Sequence, residues 1–127
     1  MNSSIKEIQV KLTKKLLDLI VLHSLDNHSM HGYQLIATIR KFYGVSIGAS
    51  TIYPLLASME QNNYIRCSNN ETDNKSRKVY ALTSNGKALL DYTVCAFKTI
   101  CKIIGAEGVQ PHSEMKNVQV YAAFSSK

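Results

Sequence analysis

The stretch STIYPLLASMEQNNYI, Ser50 to Ile65, changes its hydrophobic period from helix to strand with no linker between, and that junction constrains what the rest of the chain can build. Ile52, Leu55, Leu56 and Met59 recur at i, i+3, i+4 and i+7, so they form one buried stripe of an α-helix. The other face carries Thr51, Ser58 and Asn62 with Tyr53 at its edge: hydroxyls, an amide and a phenol, but no charge. Ser50 suits the N-cap, and Pro54 then falls in or just after the first turn, where its missing N–H costs least. Asn63 can adopt the left-handed conformation that ends a helix, after which Tyr64 and Ile65 begin a strand. Taken alone, the pattern fits an ordinary core helix better than the recognition helix of a helix-turn-helix unit.

The neighbouring segments shift that balance. Residues 2–11 place Ile5, Ile8 and Leu12 at helical spacing, as a short lead-in helix or a frayed arm. Thr13 to Leu25 is predicted as a helix apolar on most sides, which must be buried on most sides and so leaves part of its surface for a second subunit. A turn at Asp26–Ser29 precedes a helix from about Met30 or His31 to Phe42, ended by Tyr43-Gly44. Val45 to Ile47 is a short strand or extended turn. After the central helix come a strand from Tyr64 to Ser68, a polar loop from Asn69 to Ser76 and a second strand from Arg77 to Leu82. Thr83 caps a final helix, Ser84 to Ile104, with two adjoining apolar stripes. Leu90, Val94, Phe97, Cys101 and Ile104 make the second stripe, which has no obvious partner in so small a domain and points to a dimer; a single broad face on one core fits the same periodicity.

The expected fold is therefore mainly α with a small β-hairpin: a winged helix-turn-helix over residues 1–83, a dimerisation helix over 84–104 and a weakly patterned tail over 105–127, in which Met115, Val118 and Tyr121 could form one helical turn. A net charge of +6 and a pI near 9.3 favour polyanionic partners, nucleic acid before anionic membrane. No apolar run is long enough to span a bilayer and charges break up the N-terminus, so a cytoplasmic protein is expected. Cys67, Cys95 and Cys101 lack finger spacing, and His23, His28, His31 and His112 form no ligand pair, which argues against a metal site or a disulfide framework. No nucleophile with a spaced base and no glycine-rich phosphate loop is present, so neither an enzyme nor a cofactor is expected.

Three blocks occur in order: HGYQL from His31, STIYPLLASMEQNNYI from Ser50 and RKVYALTSNGKALL from Arg77. Together they resemble the PadR family of winged-helix transcriptional regulators, over roughly residues 12–104, in its shorter form with one C-terminal helix. The resemblance implies a homodimer that binds double-stranded DNA at a pseudo-palindromic operator, usually as a repressor, and leaves room for a small-molecule effector. It implies that Gly32 and Tyr33 start the second helix beside the DNA backbone, that Ser50, Thr51, Tyr53 and Pro54 form the entrance of the recognition helix, and that Lys75, Arg77 and Lys78 form the basic wing. Tyr80, Thr83 and Gly86 match the strand-to-helix junction. The dimer interface is expected at Leu17, Val21, Leu90, Val94, Phe97, Cys101 and Ile104, with an effector cavity near Leu17, Val21, Tyr92, Ala96 and Phe97.

The chain departs from the family pattern at Asn63, where glycine is usual, and at Ala57 and Ser58, where basic residues are frequent; it also has no Trp for stacking flat aromatic drugs. On this reading Ser50 and Thr51 touch base edges or phosphate, Tyr53 reaches a phosphate or a thymine methyl, and Arg77 and Lys78 clamp phosphate or enter the minor groove. A winged-helix module that docks protein and never DNA is the competing class, and a solvated hairpin is the plain alternative for the wing cations.

Overall fold

The computed structural model describes residues 3–72 and 75–105. The elements run α1 (Ser3–Lys15), α2 (Leu17–Asn27), β1 (Met30–His31), α3 (Gly32–Tyr43), α4 (Ala49–Gln61), β2 (Ile65–Thr72), β3 (Lys75–Leu82) and α5 (Ser84–Gly105). The sheet is antiparallel with order β1-β3-β2. A compact unit extends to Leu90, and a second begins at Asp91 within α5. Residues 106–127, with the helical turn expected at Met115, Val118 and Tyr121, lie outside the described residues. Among the described residues no helix is long and apolar enough to cross a membrane.

Of the stripe that defines α4, Ile52, Leu56 and Met59 are buried and Leu55, at its edge, is half-buried. Ile52 and Leu56 are 0% exposed and Met59 5%, and burying a side chain of this size contributes about 1.5–3 kcal/mol. Thr51, Tyr53, Pro54, Ala57 and Ser58 face outward. The helix ends in a Schellman arrangement: the Tyr64 amide donates to the Met59 carbonyl at 2.9 Å and the Asn63 amide to the Glu60 carbonyl at 3.0 Å. Asn63 takes φ 65°, the left-handed conformation its side chain tolerates.

The start of α4 differs from expectation. Gly48 is the N-cap and Ser50 lies inside the helix, because the Gly48 carbonyl accepts from the amides of Thr51 and Ile52 at 3.0 and 3.1 Å. Pro54 is thus two residues deeper than a Ser50 cap would place it, and the Ser50 carbonyl loses the N–H that would otherwise bond to it four residues on.

The N-terminal region also departs from the sequence pattern. The helix expected over 13–25 begins at Leu17, after a break at Leu16 (φ −100°, ψ 17°), and Thr13 to Lys15 belong to α1. Lead-in residues fold because α3 anchors them: Lys6 Nζ donates to the Gly44 carbonyl at 2.8 Å and Gln9 Nε2 to the Tyr43 carbonyl at 3.0 Å. These bonds serve carbonyls at the C-terminal end of α3, where a cation is also favoured by the helix dipole. Gly44 ends α3 at φ 68°. The near-continuous apolar surface of α2 is covered within the chain: Val21 is 0% exposed and Leu22 1%, with α1, α3 and β3 packed against the helix.

Two further corrections concern the sheet. Met30-His31 does not begin a helix but pairs with Tyr80 and Val79, adding a third strand too short for periodicity to reveal. The expected loop over 69–76 is largely ladder, with pairing continuing to Thr72 opposite Lys75.

At the base of the hairpin the Thr83 amide donates to the Tyr64 carbonyl at 3.1 Å, and the Thr83 hydroxyl accepts the Gly86 amide at 3.0 Å, capping α5 as expected. The Tyr64 carbonyl oxygen sits where a side chain on Gly86 would begin. Gly86→Ala is therefore expected to destabilise the fold by about 1–3 kcal/mol, read as a lower urea midpoint with an unchanged slope.

Candidate nucleic-acid interface

α3, α4 and the hairpin bring the expected DNA-contacting residues of the first two blocks and Arg77 to one exposed region. Gly32 is buried because the Tyr53 ring lies on it: a Cβ built on Gly32 would stand 2.5 Å from both Tyr53 Cε1 and its hydroxyl oxygen. This contact lays the Tyr53 ring, at the entrance of α4, over the first turn of α3. Tyr53 remains 43% and Tyr33 52% exposed, and Ser50, Thr51 and Pro54 are exposed beside them.

The wing is joined to the same surface. Arg77 Nη1 donates to the Tyr33 hydroxyl at 2.9 Å, and its Cζ is 5.7 Å from the Tyr33 ring centroid. A cation over a ring at an exposed site is worth about 0.5–1 kcal/mol. The His31 ring also stacks nearly parallel to Tyr33, with centroids 5.5 Å apart and planes at 5°. His31 is itself held at both ends. Its amide donates to Gln34 Oε1 at 2.7 Å, and its Nδ1–H donates to the Lys78 carbonyl at 3.2 Å. For His31 the sequence suggests a local capping or surface role, and it does stand at the N-cap of α3, with Gln34 three residues on completing a capping-box signal in which His replaces the usual Ser or Thr; its stacking on Tyr33 and its bond to the Lys78 carbonyl were not legible in the sequence.

Arg77 and Lys78, expected as one basic cluster, diverge because successive strand residues point to opposite faces. Lys78 pairs in register with Asn69, two residues along from the Cys67–Tyr80 pair, and its charge acts on Cys67. Lys75 starts β3 opposite Thr72.

The expected dimer residues separate into two groups. Leu17, Val21 and Leu90 are 5%, 0% and 3% exposed, already consumed by the chain's own core; neither Leu17 nor Val21 has surface left for a partner or for an effector cavity. Periodicity cannot tell an intramolecular neighbour from an intermolecular one. Val94 is half-buried, and Phe97, Cys101 and Ile104 are exposed.

Elsewhere, a polar recess of about 370 Å³ opens between the end of α2, the hairpin and the first turn of α5. On its rim Lys87 Nζ meets Asp26 Oδ2 at 3.1 Å, an exposed pair of the kind that contributes little. Among the described residues no three His, Cys, Asp or Glu side chains gather as a metal site.

Cys67 and Tyr80 face each other across the ladder. Burial pushes the Tyr80 phenol above its ordinary range, with Cys67, Glu60 and Tyr53 adding to it. Burial also raises the Cys67 thiol, as does Glu60, while Lys78 opposes. Both groups thus hold their protons more tightly folded than unfolded. Below the ordinary thiol and phenol range of about 8.5–10 both states are protonated and stability is unaffected; as pH rises through it, the unfolded chain deprotonates first and stability falls. The urea midpoint should drop over this range in the natural protein, and the drop should be smaller in Tyr80→Phe.

Gly32→Ala separates packing from presentation. The exposed Tyr53 ring can swing aside, so stability should change by less than about 1 kcal/mol, while Tyr53 ring resonances shift and DNA affinity falls.

A family model described as the Transcriptional regulator PadR-like family matches residues 21–92. Among solved structures, the chain is similar to a PadR family transcriptional regulator from Eggerthella lenta DSM 2243, at 24% identity over 84% of this chain and 96% of that one, with a TM-score of 0.74. It is also similar to a PadR family transcription regulator from Clostridium difficile R20291, at 24% identity over 72% and 96% with a TM-score of 0.66. A PadR-like transcriptional regulator from Bacillus cereus strain ATCC 14579 matches at 20% identity over 78% and 99%, with a TM-score of 0.67. No curated protein matches the sequence.

Proposed function

The chain belongs to the PadR-like family of transcriptional regulators, and from that premise we propose that it is a homodimeric repressor that occupies a pseudo-palindromic operator. Its family is one of DNA-binding regulators rather than of enzymes. The observation that carries the finer reading is the continuous exposed surface formed by Ser50, Thr51, Tyr53 and Pro54 on α4 with Tyr33 and Arg77 beside it. α4 enters the major groove: Ser50 and Thr51 supply hydroxyls to base edges or phosphate, and Tyr53 supplies a phenol at the groove wall. Arg77 at the hairpin provides the attraction that α4 lacks, and Lys75 and Lys78 add to the positive field of the wing, Lys78 from the opposite face of β3.

The dimer covers apolar surface that one copy leaves in water. On α1, Ile5, Ile8 and Leu12 are 48%, 56% and 56% exposed at helical spacing; on α5, Ile100, Ile103 and Ile104 are 46%, 36% and 79% exposed. Ile100, Ile103 and Ile104, together with Val94, Phe97 and Cys101, form the proposed interface on α5, while Leu17, Val21 and Leu90 are buried in the chain's own core; the exposed residues of α1 are separate apolar surface. Two recognition helices so joined meet half-sites about one helical turn apart, roughly 34–36 Å. A small molecule that releases the operator must bind two spacings of these helices with different affinities, since equal affinity shifts nothing.

Genomic fragments retained by the purified protein should share an inverted repeat. Thr51→Ala and Tyr53→Ala should each weaken binding to that repeat by about 1–3 kcal/mol while leaving binding to unrelated duplex nearly unchanged, as measured by competition gel shift. Retention of no sequence-related fragments, with dimerisation intact, would favour a protein-docking module instead.

A further inference from the structure

The geometry points to Arg77 as a pre-organised clamp for one DNA phosphodiester, with Tyr33 as the positioning residue that makes it so; this rests on the DNA-binding reading above. An arginine on an exposed hairpin ordinarily samples many rotamers and must be ordered when it meets a phosphate. Here that ordering is already in place. The Tyr33 hydroxyl accepts one N–H of Arg77 at 2.9 Å, and the ring lies under the guanidinium at 5.7 Å. The acceptor is a phenol, a neutral group that places the guanidinium without cancelling its charge.

The platform beneath it is tied to both reading elements. His31 stacks on Tyr33 while its ring holds the Lys78 carbonyl of the same strand as Arg77, which locks the platform to the wing. Gly32, one residue before Tyr33, carries the Tyr53 ring from α4. The cation therefore stands at a set distance from the entrance of the recognition helix, beside the first turn of α3. That is the placement of a backbone clamp rather than of a mobile finger probing the minor groove. The remaining guanidinium donors match the bidentate geometry of a phosphate, which a lysine at the same position could not reproduce.

The test is a double-mutant cycle read by fluorescence anisotropy, using a labelled mixed-sequence duplex about two helical turns long so that no operator is needed. Arg77→Ala should reduce the log–log salt slope by about 0.9, the signature of one lost phosphate contact. Tyr33→Phe, which keeps the ring and removes only the hydroxyl, should weaken binding about 2- to 10-fold with the slope unchanged. In the Arg77→Ala background the same Tyr33→Phe change should have no further effect. Arg77→Lys should keep the slope but bind more weakly than the natural protein. An undiminished Tyr33→Phe effect in the Arg77→Ala background would mean that Tyr33 touches DNA itself, and an Arg77→Ala variant with natural affinity and slope would mean that Arg77 is no clamp; either result overturns the inference while leaving DNA binding standing. A natural protein with no salt-dependent affinity for the duplex would instead remove the DNA-binding reading, and the clamp with it.

Discussion

The carbonyl of Tyr64 lies where three elements meet. It accepts the Thr83 amide, lies 3.0 Å from the Thr83 hydroxyl and presses on Gly86, so the exit of α4, the base of the hairpin and the first turn of α5 share one point. Few alternatives satisfy it. The close approach excludes a Cβ at position 86, and the Schellman end of α4 requires a residue that tolerates φ 65° at position 63. Because the hairpin register follows from Ile65 opposite Leu82 outward, an error at this crossing would turn every wing side chain to the wrong face.

From that crossing the functional surface follows by short steps. The buried stripe of α4 fixes which side of the helix faces water, α3 packs beside it, and the absence of a side chain at Gly32 lets the Tyr53 ring lie between the two. Strand alternation then divides the wing cations, sending Arg77 to the Tyr33 platform and Lys78 towards Cys67. Each step uses contacts between residues far apart in the chain, held by a core in which Ile39, Ile52 and Leu56 have no exposed surface.

How much of this the sequence disclosed depended on the range of the interaction responsible. The stripe at Ile52, Leu56 and Met59, the left-handed turn at Asn63, the Gly44 stop and the Thr83 cap are local, and the periodicity and residue types stated them correctly. The two-residue strand at Met30-His31 was invisible because its only cause is a distant partner, β3. The lead-in helix was uncertain for the same reason, since Lys6 and Gln9 bond to carbonyls more than thirty residues away. Ser50 looked like a cap on composition, but Gly48 took that place once the chain leaving Ile47, itself 4% exposed, had been drawn into the core. For the candidate site, the family resemblance pointed to Tyr33, Tyr53 and Arg77 separately; that Tyr33 carries Arg77, and that His31 backs Tyr33, is visible only in the fold.

The outer face of α4 carries no cation, its one exposed charge being Glu60 in the last turn, and this has a consequence for how such a regulator moves through a genome. Where cations line a reading helix, grip on any duplex and discrimination among duplexes rise together, and the protein lingers at wrong addresses. On the proposed reading the electrostatic grip is lodged on a separate hairpin, so residence on irrelevant sequence would be tuned by salt or by wing substitutions without rewriting the letters that α4 reads.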